Sequence, residues 1–322
     1  MSMPDAALSV VICAYTEQRW DDLIAAVRSV AAQDVPPLEC LVVVDHNEAL
    51  LARATEELSE WATVIPSSGP KGLSGARNTG VEAARGDVVA FLDDDAVAER
   101  DWTVHLLAPY ADPDVLGVGG WAEAEWLEGE PGWFPEEFLW VVGCSYRGLP
   151  TETATVRNLI GCNMSVRRSV LAEVGGFDVG LGRTADRPLG CEETELCIRA
   201  TDLHPGGRFV LEPRARVRHK VPAGRGRWGY FRDRCRAEGV SKAWVADRVG
   251  SDSALSSERA HTMKVLPLGV LRALASIRPT DLSGAGRAAA IVAGLGYTAT
   301  SYLRESRRRA RRSSEVADAI AV

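Results

Sequence analysis

The chain has 322 residues, of which 46% are hydrophobic and 25% charged, with seven cysteines and a formal net charge of −7. Such a composition can bury a sizeable core, so it excludes disordered, collagen-like and coiled-coil proteins. The length is too great for one small module and leaves room for two compact units.

The first hundred residues alternate between strand and helix patterns. Short apolar runs rich in β-branched residues predict buried strands at 8–15, 38–45, 63–67 and 87–95. Apolar residues at three- and four-residue spacing after Trp20 predict a helix; others are expected at 48–62 and after the glycine-rich stretch 68–80. This alternation predicts an α/β fold in which helices flank a mostly parallel, Rossmann-like sheet.

The pattern is looser beyond Asp101. We expect a helix at 101–111, a strand and helix at 163–178, a helix at 191–202, and short strands near 208–219. Everything after about residue 221 has a helical pattern. We therefore predict two units, a catalytic domain at 1–220 and a helical C-terminal extension at 221–322.

Segment 117–149 contains four tryptophans and six glutamates. These side chains could form aromatic platforms and hydrogen-bond acceptors for a polar ligand, although packing in a core is the commoner role of tryptophan. No single residue of the segment is assigned a role.

The cysteines are odd in number and scattered, without a C-x-x-C pair, so neither a disulfide framework nor a cysteine zinc site is indicated. The first fifteen residues show neither a basic leader nor a small-residue cleavage site. We therefore expect a cytoplasmic protein.

Positive charge is concentrated in two stretches of the C-terminal third. Residues 214–236 hold nine Lys and Arg against one acid, and residues 304–312 hold six Arg against Glu305. This asymmetry indicates an anionic partner.

Segment 288–303 is uncharged and is shorter than the roughly 20 residues that span a bilayer. Together with the arginines after it, it suits an interfacial helix, so 288–312 could contact a membrane surface, which would place the protein at the inner face of the cell membrane. The alternative is a helical subdomain packed on the sheet and followed by a solvated tail.

Polar residues follow the predicted parallel strands. Tyr15 ends the first strand, Asp45 ends the second, and the fourth ends in Asp93, Asp94 and Asp95. Ligands of open parallel sheets bind outside the carboxyl ends of the strands, so we expect these side chains to face one crevice.

Three adjacent carboxylates repel one another, and a hard divalent cation would offset that repulsion. Mg²⁺ and Mn²⁺ are commonly held by aspartate oxygens together with phosphates and waters. The alternative is that Asp93 to Asp95 form a solvated turn and a helix cap.

The glycine-rich stretch is neither a P-loop nor a dinucleotide fingerprint. Its glycines permit close approach of backbone to a ligand, and Lys71 and Arg77 could contact phosphate or base. The alternative is a turn that begins a helix.

Two further acids and one histidine are candidates for chemistry. Glu192 and Glu193 lie in the first turn of a predicted helix, where carboxylates are favoured by the macrodipole; one of them could accept a proton. His219 closes an alternating basic run, whose cations could steer a diphosphate or form an exposed strand face.

Six stretches together carry a resemblance. They are SVVICAYTE (9–17), VVVDH (42–46), GLSGARNTG (72–80), FLDDDAV (91–97), GCNMSVRRSVLAEVGGFD (161–178) and GCEETELCIRA (190–200). In this order they resemble glycosyltransferase family 2, whose members have the GT-A nucleotide-sugar-binding fold.

The resemblance implies roles for the residues of these motifs. Tyr15 and Asp45 would bind the nucleotide base with Arg77 close by, and Lys71 and Asp94 would complete the nucleotide-sugar site.

Asp93 and Asp95 would form the D-x-D that contacts ribose and metal, and His219 would complete the metal site. Glu193 stands where relatives place the catalytic base, although Glu192 remains an alternative.

The sequence departs from the family pattern at three places. It has Asp45–His46 where two aspartates are usual, Cys13 and Ala14 where the first motif commonly has Pro or Thr and a small residue, and glutamate rather than aspartate as the base.

The resemblance implies an inverting, Mg²⁺- or Mn²⁺-dependent transfer of a sugar from a nucleoside diphosphate sugar, with UDP-sugar favoured. The acceptor would be a hydroxyl, which could be lipid-linked, in cell-envelope polysaccharide, glycolipid or glycosylated-metabolite synthesis. Nucleic acid is not an expected partner.

Two other functions are alternatives. A nucleotidyltransferase would share the architecture, but the first strand lacks a Gly-rich triphosphate loop. A non-catalytic membrane-binding adaptor could use the basic stretches, but it would not need the full motif set.

Overall fold

The computed structural model describes residues 6–182, 190–250 and 261–320, with side chains up to residue 311. The strands are β1 Leu8–Ala14, β2 Glu39–Val44, β3 Thr63–Pro66, β4 Val88–Asp93, β5 Ala96–Ala98, β6 Val115–Trp126, β7 Ala154–Val156, β8 Asn163–Arg167 and β9 Arg208–Val221. The helices are α1 Trp20–Ala31, α2 Glu48–Glu57, α3 Leu73–Ala83, α4 Trp102–Leu107, α5 Arg168–Val174, α6 Glu192–Leu203, α7 Trp228–Val249, α8 Leu266–Ala275 and α9 Ser283–Ile320.

All nine strands belong to one sheet, with the order β3-β2-β1-β4-β8-β6-β9-β5 and with β7 paired to β9. Strands β1 to β4 are parallel to one another, whereas β8 is antiparallel to both β4 and β6. The α/β class with flanking helices is therefore confirmed, but the sheet is mixed rather than mostly parallel. Antiparallel pairing enters with β8, after the repeating strand-helix units have ended.

Strands β1, β2 and β4 are buried on both faces, as their continuous apolar runs predict. Strand β3, which was also predicted to be buried, lies at the edge of the sheet and is partly exposed. In β1, Val10 and Ile12 pack in one core cluster while Val11 packs in the other, on the opposite face of the sheet. This alternation follows from the two-residue repeat of a strand. Helices on both faces cover the sheet and leave the strand ends open.

The later elements differ in detail from the prediction. The expected helix 101–111 is α4 continued by a short 3-10 helix, Ala108–Ala111. The short strands expected near 208–219 are one strand of 14 residues, β9. A long β9 matters for the site because it carries His219 to the edge where β4 ends.

The chain after β9 is helical in the described residues, as predicted for the region after about residue 221. Two parts of that region, 251–260 and 321–322, lie outside the described residues. A third core cluster joins these C-terminal helices to the segment after β6. That segment contributes Phe134 and Phe138, and the helices contribute Phe231, Leu266 and Ile291. The helices are therefore packed against the segment that follows β6.

Three tryptophans of the chain, Trp126, Trp133 and Trp228, belong to an aromatic cluster around Phe134 and Phe231, with ring centroids 5.1–5.6 Å apart. For these residues the packing role is the one that the structure shows.

The apolar segment 288–303 lies within α9, and one side of it packs inward while Val292 and Leu303 are exposed. Ala290 and Ile291 are buried, and Gly294 faces the rings of Phe138 and Phe231 closely. In the described part of the chain, no helix combines the length and apolar character needed to cross a bilayer.

Candidate active site

The ends of three parallel strands meet at one edge of the sheet. Cys13 of β1 lies opposite Val43 of β2 on one side and Asp93 of β4 on the other. The residues that follow these strands therefore lie side by side at this edge of the sheet. They are Tyr15 after β1, Asp45 after β2, and the aspartates at the end of β4. The crevice expected at the strand ends is present.

One side of this crevice is formed by Tyr15, Asp45 and the glycine-rich turn. Oδ2 of Asp45 accepts a hydrogen bond of 3.0 Å from the backbone N–H of Gly72, and Oδ1 lies 2.8 Å from Nδ1 of His46. The side chains of Tyr15 and Lys71 are exposed. Asp45 thus anchors the turn, while Tyr15 and Lys71 remain accessible to a ligand.

The turn requires its glycines. Gly72 has φ +129°, a backbone conformation that is unfavourable for residues with a Cβ atom. A Cβ on Gly75 would lie 1.9 Å from the carbonyl oxygen of Pro70. The backbone of the turn therefore folds back against the start of α3.

The three aspartates after β4 differ in exposure. Asp94 and Asp95 are each 4% exposed, whereas the side chain of Asp93 is about one third exposed. Burial of Asp94 and Asp95 excludes the solvated turn that was an alternative for them. Two buried adjacent carboxylates need cationic partners.

Asp93, Asp95 and His219 form a group that could hold a metal ion. One potential ligand atom from each lies within 4.8 Å of the others. Because Ala96 of β5 pairs with His219 of β9, the imidazole is placed beside Asp95, with Nε2 lying 3.1 Å from Oδ1. Nδ1 of His219 is hydrogen-bonded to Sγ of Cys144, which fixes the ring with Nε2 towards the aspartates.

The chemistry of this group suits a divalent cation. Among the described residues, Oδ2 of Asp94 is buried without a hydrogen-bond partner, and Oδ1 of Asp95 is buried with the imidazole Nε2 of His219 3.1 Å away. Carboxylate oxygens with one imidazole nitrogen are suitable ligands for Mn²⁺ and, with more oxygen ligands, for Mg²⁺. The residues present therefore fit the ion that the sequence predicts.

Two arginines that the sequence analysis did not select complete the polar site. Nη1 of Arg19 lies 2.8 Å from Oδ1 of Asp94 and 3.2 Å from Oδ2 of Asp95, and Nη2 of Arg225 lies 3.1 Å from the same Oδ2. Burial alone would raise the pKa of Asp95, but His219, Arg225 and Arg19 together hold it far below its usual range. Arg225 lies within the basic stretch 214–236, which was a usable signal, whereas nothing in the sequence marked Arg19.

Arg77 lies beside the acids of α6 rather than beside Asp45. It is 2% exposed; Nη1 donates to Oε1 of Glu192 at 3.0 Å, and Nη2 donates to the carbonyl of Gly161 at 2.9 Å. Nη2 also lies 3.6 Å from Oδ1 of Asp93. Arg77 therefore links the start of α6 to the end of β4.

Glu192 and Glu193 begin α6, as predicted, but their surroundings differ. Glu192 is buried and paired with Arg77, whereas Glu193 is only partly buried. Burial and the neighbouring charge of Glu192 raise the pKa of Glu193 to about 8. A carboxylate with such a raised pKa is a stronger base than an ordinary glutamate.

A cavity of about 510 Å³ joins these groups to the C-terminal helices. Asp93, His219, Arg77 and both glutamates line its inner end. Its remaining wall comes from residues on either side of β7 and from α7, α8 and α9. Two of the candidate metal ligands, Asp93 and His219, and the candidate base thus face one cavity.

The chain is similar to known proteins over most of its length. The family model described as Glycosyl transferase family 2 matches residues 9–175. The glucosyl-dolichyl phosphate glucuronosyltransferase of Haloferax volcanii is 40% identical over 217 residues, which are 66% of this chain and 69% of that protein. The succinoglycan biosynthesis protein ExoM of Rhizobium meliloti is 27% identical over 275 residues, 81% of this chain and 80% of that protein.

Two solved structures show the same fold. The mannosyltransferase PcManGT from Pyrobaculum calidifontis, solved with GDP-Man and Mn²⁺, has a TM-score of 0.59 and 17% identity, covering 92% of this chain and 87% of that one. GalNAc-T7, solved with UDP, GalNAc and Mn²⁺, has a TM-score of 0.53 and 20% identity, covering 75% of this chain and 50% of that one.

These neighbours confirm the GT-A architecture that the motifs predicted. The match of the family model extends over more than half of the chain, and its motifs lie at the strand ends described above. The chain therefore belongs to glycosyltransferase family 2.

Proposed function

We propose that this protein is an inverting, metal-dependent glycosyltransferase that uses a nucleoside diphosphate sugar. The observation that carries the proposal is the shared cavity: Asp93, His219 and Glu193 all line it. A metal-binding group and a candidate base facing one space are what a single displacement at a sugar carbon needs.

The donor nucleotide would lie in the open crevice at the strand ends. Tyr15, Asp45 and Lys71 would contact the nucleoside, and Arg19 and Arg225 would contact the diphosphate. The solved neighbours hold UDP and GDP-Man, so both uridine and guanosine sugars are candidates; we favour a UDP-sugar.

Asp93, Asp95 and His219 would hold Mn²⁺ or Mg²⁺, with Asp95 the nearer ligand to the imidazole. When bound, the ion supplies a Lewis acid that neutralises charge on the leaving diphosphate.

Glu193 would take the proton of the acceptor hydroxyl while that oxygen attacks the anomeric carbon from the face opposite the leaving group. We assign the base to Glu193 rather than Glu192, because the Glu192 carboxylate is buried and already accepts a hydrogen bond from Arg77, whereas Glu193 is only partly buried and lines the cavity. A single displacement inverts the configuration and needs no covalent sugar–enzyme intermediate.

The acceptor would be a hydroxyl-bearing, lipid-linked molecule. The relative from Haloferax volcanii is named for transfer to a glucosyl-dolichyl phosphate, which supports this class. The protein would then work at the inner face of the cell membrane.

The test is turnover of a nucleoside diphosphate sugar by Glu193→Gln. We expect turnover to fall by about 10²- to 10⁴-fold, the usual contribution of a general base, while binding of UDP or GDP with Mn²⁺ is retained. Glu195→Gln is the matched control, since Glu195 lies in the same helical turn but pairs with Arg199. Undiminished turnover in Glu193→Gln would remove this residue from the role.

Metal dependence has a separate test. Removal of metal with EDTA should abolish turnover, and added Mn²⁺ should restore it. Asp95→Asn should raise the Mn²⁺ concentration needed for half-maximal turnover, because one ligand oxygen becomes an uncharged amide. Turnover that is insensitive to EDTA would contradict the proposed ion.

A further inference from the structure

The cavity extends well beyond the groups that would act on the donor. Among the described residues that line it, none is Tyr15, Asp45 or Lys71, the candidate nucleoside contacts. The nucleoside side of the crevice and the cavity therefore lie on different sides of the candidate metal group. A donor placed at the strand ends leaves the outer part of the cavity for the acceptor.

The outer part of the cavity is amphipathic. Its apolar lining comprises Phe138, Trp140, Met263, Leu266, Leu295 and Tyr302. The side chains of Arg234, Glu238 and Lys242 on α7 line the same space, and Nζ of Lys242 lies 3.1 Å from Oε1 of Glu238. Arg234 is 8% exposed, so its charge lies inside the protein. This lining suits a ligand with an anionic group and an apolar chain.

Helix α8 carries an exposed apolar face next to this cavity. Leu266, Gly269 and Ala273 form its buried side. Leu268, Leu271 and Leu274, at three-residue spacing on the other side, are 56%, 63% and 48% exposed. Met263, just before α8, is 76% exposed and also lines the cavity. A contiguous exposed apolar surface usually marks a binding surface.

The charges around this face match an anionic lipid surface. Residues 261–280 contain Lys264, Arg272 and Arg278 and no acid; Arg272 forms an ion pair with Glu137, which leaves Lys264 and Arg278 as the cations nearest the exposed leucines in sequence. Farther along, α9 exposes four arginines near its C-terminal end: Arg304, Arg307, Arg308 and Arg311. Basic residues that flank an exposed apolar helix face are typical of interfacial helices on anionic bilayers. We place the contact at α8, which exposes three leucines at three-residue spacing, rather than at 288–303, one side of which packs in the core while Val292 and Leu303 are exposed.

We propose that the outer cavity binds the apolar chain and anionic group of a lipid-linked acceptor, which reaches it from an anionic bilayer on which the outer face of α8 lies. This inference rests on the proposed function for the identity of the ligand as acceptor. Met263 links the two surfaces, since it lies at the junction of the exposed face and the cavity.

The first experiment measures binding of the full-length chain to vesicles by flotation. We expect binding to vesicles of phosphatidylglycerol and phosphatidylcholine, and much less to phosphatidylcholine alone. Leu268→Glu/Leu271→Glu should lower the bound fraction at least fivefold. The matched control is Leu127→Glu/Leu203→Glu, which places the same charges on leucines that are 54% and 52% exposed elsewhere.

The second experiment measures binding of dodecyl phosphate and of inorganic phosphate by calorimetry. We expect dodecyl phosphate to bind at least about 100-fold more tightly, because its chain occupies the apolar lining. Ala299→Trp places a large ring at an exposed position that lines the cavity and should weaken dodecyl phosphate binding at least tenfold. Thr300→Trp is the control, an exposed neighbour that is not among the described lining residues.

Binding of UDP or GDP with Mn²⁺ separates the two proposals. Suppose that a nucleotide binds but that the wild-type chain does not bind anionic vesicles, or that dodecyl phosphate binds no more tightly than inorganic phosphate. Either result overturns this inference while the proposed function stands. If neither nucleotide binds, the proposed function fails. A dimer in sedimentation that dissociates in Leu268→Glu/Leu271→Glu would assign the α8 face to a second copy of the chain and overturn the membrane contact.

Discussion

At the scale of single residues, Arg77 organises the acidic part of the site. It is the cation that Glu192 and Asp93 share, and its guanidinium is almost inaccessible to solvent. Breaking a buried ion pair leaves an uncompensated charge, which is costlier than losing an exposed pair. Arg77 should therefore be needed for stability as well as for the position of α6.

We expect Arg77→Met to lower the free energy of unfolding by about 3–5 kcal/mol, the usual cost of removing one partner of a buried pair. The double variant Arg77→Met/Glu192→Gln should recover part of this loss, because the stranded carboxylate is gone. Arg85→Met, which removes an exposed arginine paired with Glu39, should cost no more than about 1 kcal/mol. Urea unfolding measures all three; equal losses for Arg77→Met and Arg85→Met would contradict the assignment.

The raised pKa of Glu193 leads to a pH dependence. Burial and Glu192 raise this pKa to about 8, so the carboxyl of the free protein is mostly protonated at neutral pH. Only the ionised form can accept a proton, so kcat/KM should rise with pH through about 8 and then level off. The measurement is kcat/KM for the donor at saturating Mn²⁺, with Glu193→Gln as the control that lacks this rise. A flat profile across the same range would exclude Glu193 as the titrating base.

At the scale of elements, the turn before α3 depends on close backbone contact. Gly69 and Gly75 approach each other so nearly that a Cβ on Gly69 would lie 2.8 Å from the carbonyl oxygen of Gly75. The same turn donates the Gly72 N–H to Asp45. The conformation of this turn therefore determines the positions of the Asp45 and Lys71 side chains in the crevice.

Gly75→Ala should displace this turn, because the new methyl group would meet the Pro70 carbonyl. We expect a loss of stability of about 1–3 kcal/mol, typical of overpacking, and weaker binding of UDP or GDP. Gly296→Ala is the control: a Cβ there meets nothing within 4 Å, and alanine should stabilise α9 by up to about 1 kcal/mol. Thermal unfolding with and without nucleotide measures both effects. Unchanged nucleotide affinity in Gly75→Ala would separate the turn from the binding site.

At the scale of the whole molecule, the helices after β9 share a core with the segment that follows β6. Phe134, Phe138 and Phe231 are 1%, 3% and 0% exposed and lie in one cluster. Removing the helices would expose large apolar surface on the rest of the chain. The predicted units 1–220 and 221–322 should therefore not behave as independent domains.

We expect the full chain to unfold in one cooperative transition, because each unit completes the core of the other. Phe231→Ala should shift that whole transition, with a loss of about 3–5 kcal/mol. Urea unfolding followed by both circular dichroism and tryptophan fluorescence tests this expectation. Two separate transitions in the wild-type chain would show independent domains instead.

The sequence determined the local parts of this protein. Apolar runs and helical spacing predicted β1 to β4 and their helices, since those elements depend on neighbours a few residues apart. The motifs identified the strand ends, the acids after β4 and the acids that begin α6. The family resemblance added His219 to the predicted metal site. A single histidine in the sequence would not by itself have justified that assignment.

Only the tertiary structure decided which distant groups meet. The antiparallel β8, the β5–β9 pairing that sets His219 beside Asp95, and the contacts of Arg19, Arg77 and Arg225 join residues far apart in the chain. Their sequence separation leaves no periodic signal, because such contacts are set by packing and charge in the folded chain. The same reason explains why one side of the apolar segment within α9 faces the core while α8 buries Leu266 and exposes Leu268, Leu271 and Leu274.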